Sequence, residues 1–189
     1  KYRTDLDEAI HELTALELED RVLPYHVSDV LEKITQMLRM ESEITRMFVE
    51  LGDEQDLPGR QLDSLTAGLD SEFDWLVEDY KKDPAADREE IKEKILSLPS
   101  QELHSTGSIM APLGYEDEML DSFLTARGYR LLNKMPRLPD AVIERLVERF
   151  DTLEHLLEAG EEELKEVKGV GEARASTITS GLRRLENRV

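Results

Sequence analysis

The chain contains no cysteine, which excludes disulfides and thiolate metal sites and fits a reducing, cytoplasmic setting. Proline and glycine are scarce, 7 and 10 among 189 residues. The long stretches of leucine and charge between them indicate an all-α protein. No apolar run approaches the length needed to span a bilayer, and the first twenty residues are too charged for a signal peptide. Recognisable catalytic motifs are missing as well. There is no nucleophile elbow, no phosphate loop with its lysine and no metalloprotease helix. His11, His26, His104 and His155 lie far apart at no ligand spacing, so no zinc site and no other cofactor is expected. Nothing in the chain is a positive signal for an enzyme.

Positive charge is also in short supply. The chain has 24 Lys/Arg against 43 Asp/Glu, a net charge of −19, which as one number argues against a nucleic-acid partner. The deficit is uneven. Residues 134–189 hold 10 basic and 12 acidic side chains, net −2, while residues 1–133 hold 14 and 31, net −17. Near the end, Arg174, Arg183, Arg184 and Arg188 face a single acid, Glu186. A locally positive end on an acidic protein suits weak, salt-sensitive phosphate binding. The same arginines also suit the negative end of a last helix.

Helical spacing runs through the acidic part. A first helix is predicted over Thr4–Glu19, burying Leu6, Ala9, Ile10, Leu13 and Leu16 with Glu17 largely off that face. Pro24 breaks the chain. A long helix over Ser28–Leu51 follows, with a stripe from Val30, Leu31 and Ile34 to Ile44, Met47, Phe48 and Leu51, a core or helix-pairing surface. Asp53–Arg60 reads as a turn, then helices over 61–69 and 71–82, anchored by Phe73, Trp75 and Leu76. Asp70, Glu72, Asp74, Glu78 and Asp79 read as a solvated face rather than a metal or acid–base cluster. Asp87 with Glu90 has capping-box spacing, opening a helix that stops at Pro99. The stretch from His104 to Pro112 gives no clear signal. Glu116–Ala126 is expected to be the last helix of this part.

The most informative stretch is Lys168-Gly169-Val170-Gly171. A short helix with Leu164 and Val167 on its apolar face precedes it, and Glu172-Ala173-Arg174-Ala175 opens another directly. Two glycines supply positive φ for a tight reversal, and Val170 pins the turn to the core. The first N–H groups of the next helix have no internal partner and carry partial positive charge. Gly171 has no side chain, so an anion can approach the amides of Gly171, Glu172 and Ala173. Arg174 adds charge, with Lys168 next, then Arg183 and Arg184. A bare Gly-Val-Gly is also what a plain helix cap and turn looks like. The longer set of Leu164, Val167, Gly169, Gly171, Ala175 and Ile178 resembles the helix-hairpin-helix motif, which binds the DNA backbone without reading sequence. Met135-Pro136-Arg137-Leu138-Pro139 lies 32 residues earlier, where a first hairpin of a tandem would sit. Pro139 has no N–H to donate. Arg137 either holds a phosphate by charge instead, or this hairpin is scaffold.

The run Arg127-Gly128-Tyr129-Arg130-Leu131-Leu132-Asn133-Lys134-Met135-Pro136-Arg137-Leu138-Pro139 resembles the DNA integrity scanning (DisA) family. So do Val142-Ile143-Glu144, Gly169 to Ala175, and the start at Lys1 to Ala9 and Leu13 to Glu17. The resemblance implies a helical linker domain at 1–130, and at 131–189 a tandem helix-hairpin-helix domain similar to the second domain of RuvA. It implies DNA as partner, preferably branched as in four-way junctions, in the cytoplasm at the nucleoid. It further implies a separate cyclase domain, making cyclic di-AMP from ATP with a divalent metal in an octamer. That domain's Asp-Gly-Ala and Arg-His-Arg motifs do not occur here, and a first residue Lys1 fits a fragment. The rival reading is a protein-interaction adaptor that does not touch DNA.

Overall fold

The computed structural model describes residues 1–51 and 62–187. The described residues are helices joined by short turns, with one isolated antiparallel bridge between Val22 and Leu124. Helix α1 (Tyr2–Leu18) buries Leu6, Ala9 and Leu13. Asp20 in the left-handed region (φ 52°) turns the chain. Helix α2 (Pro24–Leu51) begins at Pro24 rather than after it, since a first-turn residue has no intrahelical use for an N–H. His26 Nδ1 closes this turn by accepting from the Leu23 N–H at 2.9 Å.

Only the first half of α2 is core. Val27, Val30, Leu31 and Ile34 are buried, whereas Ile44 is 37% and Met47 52% exposed. The predicted turn at Asp53–Arg60 lies outside the described residues. A short helical run at 62–66 leads through Gly68 (φ 81°) into α3 (Leu69–Tyr80). Asp87 caps α4 (Arg88–Leu96) by accepting from the Glu89 and Glu90 N–H groups. Glu90 pairs forward with Lys94 at 2.7 Å instead of closing a capping box. The unreadable stretch after His104 folds into α5 (Thr106–Met110), capped by Ser105 and packed on α2 with Ile109 and Met110 buried.

Several expectations fail here. Glu116–Ala126 is not a helix: a 3-10 turn at Asp117–Met119 gives way to extended chain. Leu124 is buried by donating its N–H to the Val22 carbonyl at 2.7 Å, and Phe123 is left 66% exposed. Tertiary pairing with the α1–α2 turn overrides a spacing that reads as helical. Trp75 is only half-buried. The acidic residues of α3 are not all solvated, because Glu72 and Asp79 lie inside.

Those two acids belong to a buried polar clasp that fixes the site to the bundle. Helix α6 (Tyr129–Asn133) starts at Gly128, and the Asp79 carboxylate accepts from the N–H groups of Gly128 (2.9 Å), Tyr129 (2.6 Å) and Arg130 (3.1 Å). Arg130 is completely buried. Its guanidinium pairs with Glu17 of α1, with Glu72 of α3 at 3.0 Å, and with the Thr14 hydroxyl at 2.9 Å. Glu17 therefore faces inward, against the sequence expectation, and Tyr80 donates to it at 2.7 Å. Burial, then Glu17, push the Asp79 carboxyl up to about 7, against Arg130 and two of the N–H donors that favour its charged form. Arg127 donates to the carbonyls of Glu78 and Lys81. One apolar core runs without interruption from Leu6 to Leu182.

Candidate nucleic-acid interface

The last third of the chain is two copies of one unit. In the first, α6 leads through a turn at 134–139 into α7 (Asp140–Phe150). In the second, α9 (Glu161–Lys165) leads through 166–171 into α10 (Glu172–Glu186). Helix α8 (Leu153–Glu158), capped by the Thr152 hydroxyl, joins them. Three backbone bonds of the copies correspond at an offset of 32. Leu132 donates to the Gly128 carbonyl at 3.0 Å as Leu164 does to Gly160 at 3.1 Å. Met135 donates to Leu132 at 3.0 Å as Val167 does to Leu164 at 3.1 Å. Ile143 donates to Pro139 at 3.1 Å as Ala175 does to Gly171 at 2.9 Å.

Each turn needs one left-handed residue, and it is the same one. Arg137 (φ 61°) stands where Gly169 (φ 96°) stands. Gly171 is not used for the reversal, contrary to expectation. Its φ of −88° and ψ of −179° are extended, like those of Pro139 at the matching place. What Gly171 provides is room: a Cβ there would meet nothing within 4 Å. At Gly169 a Cβ would lie 3.1 Å from Val142 Cγ2 and 3.3 Å from Arg145 Nη1. Val170 is buried and ties the turn down.

No side chain caps α10, so the N–H groups of its first turn stand open beside that space. Asp79 fills the corresponding role for α6 and Thr152 for α8. At the first hairpin Pro139 removes a donor, and Arg137 is exposed. Hairpin two thus gathers Lys168, Gly169, Val170, Gly171, Glu172, Ala173 and Arg174 in one place.

The cations around it are tethered by carbonyls rather than by acids. Arg174 Nη1 donates to the Gly169 carbonyl at 2.6 Å, and Arg145 Nη1, from α7, to the Lys168 carbonyl at 3.0 Å. Lys168 is exposed. Neighbouring Lys165 and Arg149 are paired, with Glu162 at 2.8 Å and Glu166 at 3.6 Å. Arg184 lines a hollow with Lys134, Met135 and Pro136, beside hairpin one. Arg183 lies nine residues after Arg174, on the opposite face of α10 at about 3.6 residues per turn. It lines a hollow with Glu158, Glu161 and Glu186. Arg188 lies outside the described residues.

Sequence reasoning missed Arg145. Its outward position on amphipathic α7 was legible, but its contact with a turn 23 residues away is tertiary and leaves no local signal. The interlock of the two units was also illegible. A Cβ on Gly181 of α10 would fall 2.2 Å from Met135 Sδ, so this glycine seats hairpin one against the second unit.

Residues 1–121 match the family model of the DisA bacterial checkpoint controller linker region, and residues 129–184 that of the SAM-like helix-hairpin-helix tandem. Curated relatives with the name DNA integrity scanning protein DisA are similar along nearly the whole chain. The protein from Streptomyces avermitilis is 42% identical over 191 residues, spanning 98% of this chain and 51% of its own length. Those from Acetivibrio thermocellus and Clostridioides difficile are 39% identical, spanning 100% of this chain and 53% of theirs. The chain spans about half the length of these relatives.

Proposed function

The chain belongs to the DisA bacterial checkpoint controller linker family, and from that premise we propose that it binds DNA through backbone phosphates, independent of sequence. The observation that carries this reading is the open start of α10 at Gly171. There, uncapped N–H groups, a glycine with free space before it and the Arg174 guanidinium converge. A phosphate oxygen accepts from such amides and is drawn by the helix dipole. Val170 and the left-handed Gly169 hold the turn, Lys168 adds charge at its tip, and Glu172 and Ala173 supply N–H groups. Arg137 and Arg184 bound hairpin one and would meet a second phosphate by charge alone.

The finer reading is selection of branched DNA, four-way junctions above all, by a cytoplasmic, nucleoid-associated protein. In a longer chain this part would report DNA occupancy to a diadenylate cyclase that makes cyclic di-AMP from ATP with a divalent metal. Assembly as an octamer would multiply weak single contacts.

The test is binding to a labelled four-way junction and a matched linear duplex at low and moderate salt, with Gly171→Ser and Arg174→Ala alongside. The expected result is junction binding that weakens with salt and drops in both variants. Binding indifferent to both substitutions would remove the site. A second reading, an interaction adaptor, draws on the exposed Ile44, Met47 and Val49 at the far end of α2. It predicts no DNA binding at any salt, with association lost in Met47→Glu.

A further inference from the structure

We propose that Arg145 is a DNA-phosphate contact of the second hairpin, so that this site is a composite of both helix-hairpin-helix units. The inference rests on the DNA-binding reading above and deepens it. Two guanidiniums from different units converge on consecutive carbonyls of one turn: Arg145 on Lys168 and Arg174 on Gly169. Each spends one nitrogen on that tether, which fixes the side chain, and among the described residues no other acceptor takes the rest of its donor fork. Arginine keeps its charge under all conditions and offers its fork to phosphate oxygens.

The charge setting makes this placement informative. In a chain of net charge −19, a half-exposed arginine easily finds a carboxylate. Arg149, one turn along the same helix, is within 3.6 Å of Glu166, and Lys165 is within 4 Å of both Glu162 and Glu172. Among the described residues Arg145, Lys168 and Arg174 have no carboxylate within 4 Å. Three uncompensated cations therefore stand around a turn whose last residue, Gly171, faces open space.

A purely structural role is the competing explanation, since Arg145 also props the turn. Two substitutions separate the possibilities. Arg145→Gln can still donate to the Lys168 carbonyl but has no charge, whereas Arg145→Lys keeps the charge without the fork. The affinity of the whole chain for a four-way junction is measured against salt for wild type, both variants and Gly171→Ser. The proposal expects Arg145→Gln to bind about tenfold more weakly at low salt. Its log–log salt slope should be shallower by about 0.9, one phosphate contact, and Arg145→Lys should recover the slope. Arg145→Gln binding with the wild-type affinity and slope, while Gly171→Ser is impaired, overturns this inference and leaves the DNA-binding reading standing. Absence of wild-type binding at every salt removes both.

Discussion

Gly169 and Gly171 stand two residues apart and do opposite work. Gly169 is required by the fold, because it is left-handed and its missing Cβ makes room for Val142 and Arg145. Gly169→Ala should cost about 1–2 kcal/mol, read as a lower denaturation midpoint with an unchanged slope. Gly171 is extended and faces open space, so Gly171→Ser should change stability by less than about 0.5 kcal/mol while reducing DNA binding. Comparable destabilisation by both would contradict the division of labour. The sequence showed Gly-Val-Gly plainly, yet could not say which glycine the turn needs, because φ depends on the register of the turn. Arg137 at the Gly169 position shows that the register holds even without glycine. Asp79 sets a second expectation at this scale. Its folded pKa of about 7 lies above the ordinary carboxyl value of 3.8, so its stabilising contribution is full below about pH 4 and is lost as pH rises through 7. Between pH 6 and 8 the wild-type midpoint temperature should fall more steeply than that of Asp79→Asn. Parallel curves would exclude Asp79 as the titrating group.

At the scale of elements, α6 has two masters. Its first turn is capped by Asp79 of α3 and its Arg130 is held by Glu17 and Glu72, while its far end opens hairpin one. Arg130→Met should therefore act on both. Leaving buried Glu17 without its cation, and Glu72 with Lys134 alone, is expected to cost about 3–5 kcal/mol, and exchange of the α6 amides should quicken more than that of α10. Equal protection in both helices would show that the clasp is not specific to α6. Periodicity located α1, the buried first half of α2 from Ser28 on, α4, α7 and α10 in the sequence, since each has one face on the core. It failed for Glu17, Glu72 and Asp79, which lie at positions where charge normally means solvent. Their partners are distant in sequence: Arg130, 113 residues from Glu17, pairs with Glu17 and Glu72, and the first N–H groups of α6 hold Asp79. It failed again at Glu116–Ala126, where the extended Leu124 pairs with Val22 and the helical spacing of Met119, Leu120, Phe123 and Leu124 has no face to bury.

Across the whole molecule, the two units brace each other: Met135 of hairpin one rests on Gly181 of α10, and hairpin two rests on Val142 and Arg145 of α7. The spacing between the two hairpins is thereby set by the core rather than by either turn. The tandem in turn leans on the bundle through the clasp, through Arg127, and through the Leu153 N–H that donates to the Ala126 carbonyl at 2.8 Å. That support has a consequence for dissection. The two family models leave a gap at residues 122–128, which invites a cut there to obtain the last sixty residues alone. Such a cut would strip Asp79 from the first turn of α6 and leave Arg130, moulded to two acids, pointing at water. The excised piece should melt well below the intact chain, and the bundle supplied in trans should raise its melting temperature. The last helices were shaped around the acids of the first, so the place where the sequence changes character is the place where the molecule is least divisible.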